Sequence, residues 1–588
     1  MKRKILLVYP EIPATYWSFK YALPFADYKT LMPPLGLITI AALLPDDYDV
    51  RLVDMNIQNL TPDDITGADL VFVSAMIVQR DSFQEVVRMC NEYGTRVVAG
   101  GPYPTSSYRS IRGVDHFVLN EGEITLPQFI KDLELGRARR VYNDTTKPDI
   151  TKTPPPRFDL LEMGAYESMA LQSSRGCPFN CEFCDIIEMF GRVPRYKTPE
   201  QLLREMDMLY AMGYRGSLFI VDDNFIGNKP KVRELLDHII SWQKSRDYPF
   251  ALFTEASINL AQDGPLMDRM RNAGFDNVFL GIETPIVETL ALNHKQQNTK
   301  ADMLESIRII QAKGIEVMGG FIVGFDSDPE NIFDLQIDFI EKAAIPLAMI
   351  GTLVALPNTQ LYRRLEREGR IVGETDGNNT HSMELNFIPR MPRETLMEGY
   401  KRIIAAIYNP KNYFGRCAAL LKRMPYSENS HSSIDGRHIK ALFRSLLRQT
   451  FSKYGAHYLR FLTSVILHNP KHFPGAVAMA VKGHHLFKIT DDILRVDTIS
   501  AYMQSSIENL ERQFETKFNT AARIRPAAIE RLARRAMGNV QRIYRTLNPE
   551  LKEHLRDAYY EFKLKCETIA YLWAEKAVID DDAMFNRG

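Results

Sequence analysis

Neither sign of charge prevails in this chain. Its 588 residues carry 73 Lys and Arg against 73 Asp and Glu, so no net field draws the whole molecule to nucleic acid or membrane. No run of about 18 apolar residues occurs, so no spanning helix is predicted. The opening segment, MKRKILLVYP, is basic, but its apolar stretch is short and no small-residue cleavage site follows. No secretory signal is therefore expected. Cysteine is scarce, six in all, too few for a disulfide scaffold at this length. Cys90, Cys417 and Cys566 are scattered and read as small buried hydrophobes. No Gly-x-Gly-x-x-Gly turn follows the first predicted strand, so a dinucleotide is not expected. What remains is a globular, cytoplasmic protein of ordinary composition, 45% hydrophobic and 25% charged. Its length suits roughly three to four domains at about 150 residues each.

The first 150 residues alternate strand and helix patterns. Apolar runs at Ile5–Tyr9, Val50–Asp54, Leu70–Ser74, Val97–Gly101 and Phe117–Leu119 read as buried parallel strands. Helical stretches such as Leu37–Leu44 and Ser82–Tyr93 lie between them, which predicts an open, doubly wound α/β sheet of Rossmann type. Three consecutive prolines, Pro154–Pro156, force extended backbone and place a linker at 151–162. The alternation then restarts. Candidate strands Met169–Ser173, Ser217–Val221, Phe250–Thr254, Asn277–Ile282, Val317–Val323 and Ala348–Val354 fit a partial or complete parallel barrel over 163–390. From 391 to 588 the pattern turns helical. Ile529, Leu532, Ala533, Ala536, Val540 and Ile543 form one stripe, and an all-helical region is expected. Tyr426–Gly436 is polar and reads as a loop.

Directly after the first barrel strand stand Cys177, Cys181 and Cys184. Three thiolates so close suit a soft metal or an iron–sulfur cluster. A cube with three cysteine ligands keeps one iron open for a substrate, whereas structural zinc needs a fourth ligand. Asp185 is the available fourth donor, with no second cysteine pair or nearby histidine.

This Cys-x3-Cys-x2-Cys motif, with Phe183 before its last cysteine, resembles the radical S-adenosylmethionine superfamily. The resemblance implies a 4Fe–4S cluster whose open iron chelates S-adenosylmethionine, and release of a 5′-deoxyadenosyl radical. Later strand ends follow the family's order. Val221-Asp222-Asp223-Asn224 resembles the segment that meets the methionine amino group, without the usual Gly-Gly-Glu. Thr254-Glu255-Ala256 and Gly281-Ile282-Glu283-Thr284 end the third and fourth strands. Gly320-Phe321-Ile322-Val323-Gly324, with Glu330 following, and Ala355-Leu356-Pro357-Asn358-Thr359 resemble the adenine-side motifs. The implied S-adenosylmethionine contacts are Phe183, Asp222, Asp223, Asn224, Glu255, Glu283, Ile322, Gly324 and Leu356. For any one acid, solvation or helix capping is the competing reading.

The amino-terminal segments resemble the cobalamin-binding domain that precedes many radical enzymes. That resemblance implies cobalamin contacts at Pro34, Leu35, Gly36, Asp54, Ser74, Met76, Gln79, Gly100, Gly101, Thr105, Glu121 and Gly122, the glycines letting backbone approach a planar ligand. A bare Rossmann domain is the alternative. The loop Ser74–Arg80 holds no histidine, so the resemblance implies cobalamin without an imidazole below cobalt. The arrangement, including Tyr9-Pro10 and Trp17-Ser18-Phe19-Lys20, is similar to a bacterial subgroup containing hopanoid methylases.

The implied activity is methylation of an unactivated carbon in a small-molecule or lipid substrate, driven by an external electron donor of flavodoxin or ferredoxin type. A cobalamin-containing cyclase or rearrangement enzyme is the enzymatic alternative, and a non-catalytic iron–sulfur or cobalamin sensor the other. Arginines at 523, 525, 531, 534, 535, 542 and 545 are opposed only by Glu530. They read as a solvated face, with peripheral membrane contact as the alternative.

Overall fold

The computed structural model describes residues 2–380, 385–426, 436–520, 526–547, 552 and 555–585. The first sheet contains β1 (Lys4–Tyr9), β2 (Asp49–Asp54), β3 (Leu70–Ser74), β4 (Arg96–Gly100), β5 (His116–Leu119) and β6 (Val141–Asn143). Their order is β2-β1-β3-β4-β5-β6, and every pairing is parallel. Strand order reverses between β1 and β3, so the ligand crevice of such a sheet lies beyond their carboxyl ends. The sequence pattern missed β6, whose three residues are too short to show a period. One core forms where the helix Arg80–Glu92 buries Phe83, Val86, Val87 and Cys90 against Val71, Val73 and Val97.

The proline-rich stretch is packed rather than free. Phe158 is fully buried, Arg157 N donates to Ile38 O at 3.0 Å, and the Thr153 hydroxyl donates to Glu123 at 3.0 Å. Residues Met1–Phe487 accordingly form one compact unit and Lys488–Gly588 a second.

Beyond this stretch lie β7 (Ser168–Leu171), β8 (Ser174–Arg175), β9 (Arg195–Tyr196), β10 (Gly216–Ile220), β11 (Phe250–Ala256), β12 (Phe275–Glu283), β13 (Glu316–Val323) and β14 (Ala348–Thr352). The six long ones form a parallel sheet ordered β14-β13-β12-β11-β10-β7. Its end strands do not pair, so the barrel is partial. The expected first strand, Met169–Ser173, is interrupted. At Ser173 and Ser174 the backbone N–H groups turn to the Asp222 carboxylate at 2.7 and 2.9 Å, and β8 pairs antiparallel with β9 instead.

Strand residues alternate between two environments. Leu218, Ile220, Leu252, Val278, Leu280, Val317 and Phe321 are buried, on the face that packs against helices. Phe219, Phe253, Glu255, Phe279, Gly281, Met318 and Gly320 are half-buried, on the opposite, open face. After residue 391 the described elements are helices: Arg393–Ile407, Pro410–Arg423, Gly436–Thr450, Gly455–His468, Phe473–Thr520, Pro526–Thr546 and Arg556–Phe585, with one short turn at Pro470–His472. The predicted stripe packs as expected, with Ile529, Ala533 and Val540 buried and Leu532, Ala536 and Ile543 against them. Residues 427–435 of the expected loop, and Arg523 and Arg525, lie outside the described residues. No described helix is long and apolar enough to cross a membrane.

Candidate functional site

The cysteine loop leaves β8 through Gly176, whose φ is +97° and where a Cβ would meet Gly191 O at 2.9 Å. Only glycine fits that turn. Cys181 is buried, and Cys177 and Cys184 are half-buried. Burial pushes the Cys177 and Cys184 thiols up, which disfavours free thiolates and is reversed by a coordinated metal. Two amides point at sulfur: Asn224 Nδ2 lies 3.9 Å from Cys177 Sγ and Gln297 Nε2 3.5 Å from Cys181 Sγ. Gln297 was missed by the sequence reading, because it stands 116 residues from Cys181 with no local signal. Among the described residues no three His, Cys, Asp or Glu side chains converge on a single ion. A cube takes each thiolate at a different iron, so its three ligands need not meet at one point. The donor set fits that cluster.

The strand-end acids divide by their partners. Asp222 receives both backbone N–H groups and both hydroxyls of Ser173 and Ser174. With its oxygens so engaged, Asp222 holds the root of the cysteine loop. Asp223 accepts one bond, from Gly176 N at 2.7 Å, and burial pushes its carboxyl up to about 6. Glu255, at the end of β11, is pushed up to about 7, by burial first and then by Asp223. Asn224 exchanges bonds with Ser257. Glu283 sits at φ +66°, where the β12 register shifts, and pairs with buried Lys295. A Cβ on Gly281 would lie 2.6 Å from both partners, so glycine there admits the ion pair against the strand. Burial opposes the Lys295 charge, but Glu283 and the cluster cysteines outweigh it and hold its pKa above the ordinary value. Its Nζ stands 5.8 Å from the Phe183 ring centroid. Lys295 also escaped the sequence reading.

At the fifth strand end, Gly324 (φ +102°) and Phe325 donate N–H bonds to Asp328 at 2.8 and 3.0 Å. Asp328, not exposed Glu330, completes that turn. Ile322 and Phe183 pack on the small core of Phe325, Leu353 and Leu361. The Leu356 carbonyl receives the Thr359 hydroxyl at 2.8 Å, and Thr359 caps the helix Gln360–Arg367. That helix braces the cysteine loop. Arg364 donates to both oxygens of Glu182 at 2.7 and 3.1 Å, and Gln360 to Asn180 at 3.0 Å.

The amino-terminal candidates also divide. Pro34, Leu35 and Gly36 open the helix Leu35–Ala41, with open space where a Gly36 Cβ would stand. Ser74 ends β3, and Met76 beyond it is 41% exposed. Ser74 and Met76 thus stand at the carboxyl end of β3, the side on which such sheets bind their ligands. Several others are engaged by protein partners. Gln79 is buried, donating to Pro10 O and accepting from Met76 N. Asp54 is buried and accepts from Asn56 and Tyr166, and burial pushes its carboxyl up. The Thr105 hydroxyl accepts from Asn120 N. Glu121 is salt-bridged by Arg175 and Arg195, each at 2.8 Å. Nor do the glycines clear room for a ligand. A Cβ would meet Val118 O at 2.8 Å from Gly100, the Ser74 hydroxyl at 2.5 Å from Gly101, and Ile40 at 2.2 Å from Gly122. Their smallness serves packing inside the protein.

The open face of the second sheet is lined by aromatic rings. Phe219 and Phe253 stack at 4.7 Å, and Trp17 meets Phe279 edge-on at 5.1 Å. Trp17 belongs to an amino-terminal segment latched by His485, which accepts from Tyr21 N at 3.4 Å.

Three family models match the chain: the B12 binding domain over 23–130, the Radical SAM superfamily over 171–339, and a domain of unknown function over 359–498. An uncharacterized methyltransferase of Synechocystis sp. is 40% identical, over 86% of this chain and 96% of its own length. The hopanoid C-2 methylase of Rhodopseudomonas palustris is 37% identical, over 72% of this chain and 79% of its own. The radical S-adenosylmethionine methyltransferase TsrM from Kitasatospora setae, solved with cobalamin and a 4Fe–4S cluster, shares the fold. Its TM-score is 0.56 and its identity 15%, over 82% of this chain and 99% of that one.

Proposed function

This chain belongs to the cobalamin-binding radical S-adenosylmethionine methyltransferases, and from that premise we propose that it methylates an unactivated carbon of an apolar small molecule or lipid on the open face of its second sheet. Cys177, Cys181 and Cys184 hold the 4Fe–4S cluster in this reading, and the crevice beyond β1 and β3 holds cobalamin. Once bound, the cluster supplies the electron that splits S-adenosylmethionine into methionine and a 5′-deoxyadenosyl radical, and cobalamin supplies the methyl group. Asn224 and Gln297 orient the thiolates through their N–H groups. Asp223 and Glu255, each left with an oxygen free of protein donors, suit the ammonium of S-adenosylmethionine, because charge-assisted bonds are the strong ones. Arg364 and Asp222 keep the cysteine loop rigid, as precise positioning of the reacting atoms requires.

The aromatic wall carries the reading. Phe219, Phe253, Phe279 and Trp17 offer an apolar surface, and Glu255, the titratable group on the same face, serves the S-adenosylmethionine ammonium in this reading, so no general acid or base is assigned to the substrate. Hydrogen abstraction by a carbon radical needs neither, whereas hydrolytic or acyl-transfer chemistry needs both. The hopanoid relative supports a lipid as substrate, and the electron donor in this reading is of flavodoxin or ferredoxin type.

The test is anaerobic. Reconstituted protein, given cobalamin, a low-potential reductant, S-adenosylmethionine labelled in its methyl group and a lipid extract, should yield a labelled lipid and 5′-deoxyadenosine. The Cys181→Ala protein should yield neither. Deoxyadenosine without any labelled product would overturn methylation and favour a rearrangement.

A further inference from the structure

Although the chain is neutral as a whole, its charge is unevenly distributed. Between Asp435 and Asp491 there is no acidic residue, while nine Lys or Arg occur. Two helices in this stretch, Gly436–Thr450 and Gly455–His468, pack against each other through buried Ser445 and Tyr458, whose hydroxyls lie 2.9 Å apart.

The first of these helices is amphipathic in the reverse of the usual sense. Its inward face carries buried Ser445 and Gln449, which bond to each other at 2.8 Å. Along one flank its cations grip the body: Arg444 donates to Pro24 O at 2.8 Å and pairs with Asp27, Arg448 lies over the Phe25 ring and Arg437 over Tyr28. Its outward face is apolar. Ile439 is 55% exposed, Phe443 67% and Leu447 61%, and Phe451 beyond its end reaches 85%. The second helix adds Ile466 at 51% and Leu467 at 72%. A soluble helix turns such residues inward, and so many together mark an interaction surface. Exposed Lys453 and Arg460 border the patch.

We propose that this face is an interfacial membrane anchor that seats the enzyme on an anionic bilayer. Apolar side chains enter the boundary between headgroups and acyl chains while lysines and arginines meet lipid phosphates. The acid-free stretch decides for a lipid surface over a second copy of this chain, because two such faces brought together would repel. The anchor is a different segment of the sequence from the arginine stripe of residues 523–545, and it stands whatever the substrate proves to be.

Full-length, cluster-loaded protein should co-sediment with vesicles containing phosphatidylglycerol and far less with pure phosphatidylcholine, and added salt should release it. Phe443→Ser with Phe451→Ser should lower the partition coefficient about tenfold or more, with the helical circular dichroism and S-adenosylmethionine cleavage in detergent unchanged. Lys453→Glu with Arg460→Glu, which alters only exposed side chains, should weaken binding by a similar factor, at about 1 kcal/mol per cation near the surface. Absence of binding at any anionic fraction would overturn the anchor. So would full binding by both double variants, or a wild-type dimer that the Phe443/Phe451 variant converts to monomer.

Discussion

At the residue scale, Glu255 is a carboxylate whose protein surroundings do not compensate its charge. It is pushed up to about 7 from an ordinary 4.5. An acid whose folded pKa is raised binds more protons folded than unfolded, so stability falls as pH rises from about 4.5 to 7 and stays lowered above that. Glu255→Gln should therefore make the ligand-free protein more stable at pH 8, by about 2 kcal/mol, with the gain vanishing below about pH 4.5. Denaturant unfolding at both pH values checks this. The same variant should bind S-adenosylmethionine roughly tenfold or more weakly. A gain that persists at pH 4 would mean that repacking, not charge, is responsible. The cysteine triad was legible at this scale because its spacing is local. Lys295 and Gln297 were not, because only the fold brings them to Phe183 and Cys181.

At the element scale, strand and helix types followed from apolar periodicity, and most strand bounds fell within two residues of expectation. The failures have local causes. The first barrel strand breaks where Asp222 takes its N–H groups, and β6 is too short for a period. The loop after β3 gives the element-scale prediction. Residues Ser74–Arg80 contain no histidine, and the Gln79 amide is buried against Pro10. Protein loaded with cobalamin and held as cob(II)alamin should show no EPR splitting that changes when the protein is labelled with nitrogen-15. Splitting that responds to the label would place a protein nitrogen on cobalt.

At the scale of the whole molecule, one buried charge network ties the first sheet to the cysteine loop. Glu121 follows β5, and its side chain is 2% exposed between Arg175 and Arg195, while Glu123 takes the other arm of Arg175 at 2.8 Å. Removing one partner of a buried network strands the others, at a cost of about 3–5 kcal/mol. Glu121→Ala should lower the thermal midpoint by several degrees and reduce iron retained after reconstitution, read by calorimetry and iron analysis. Unchanged values of both would show the network to be solvated in solution.

The sequence by itself determined the chain's modules and its chemistry. Alternating apolar runs specify parallel α/β sheets because both faces of such strands are buried, and three cysteines within eight residues specify a cluster because their reach is set by local backbone. Only the tertiary structure decided which strand-end residues remain available to a ligand. Asp222, Asp54, Gln79 and Glu121 look like ligand contacts in a linear reading, yet each is consumed by partners from distant segments. A hydrogen-bonding group buried in a folded protein must find a donor or acceptor, and the identity of that partner depends on which segments the fold brings together.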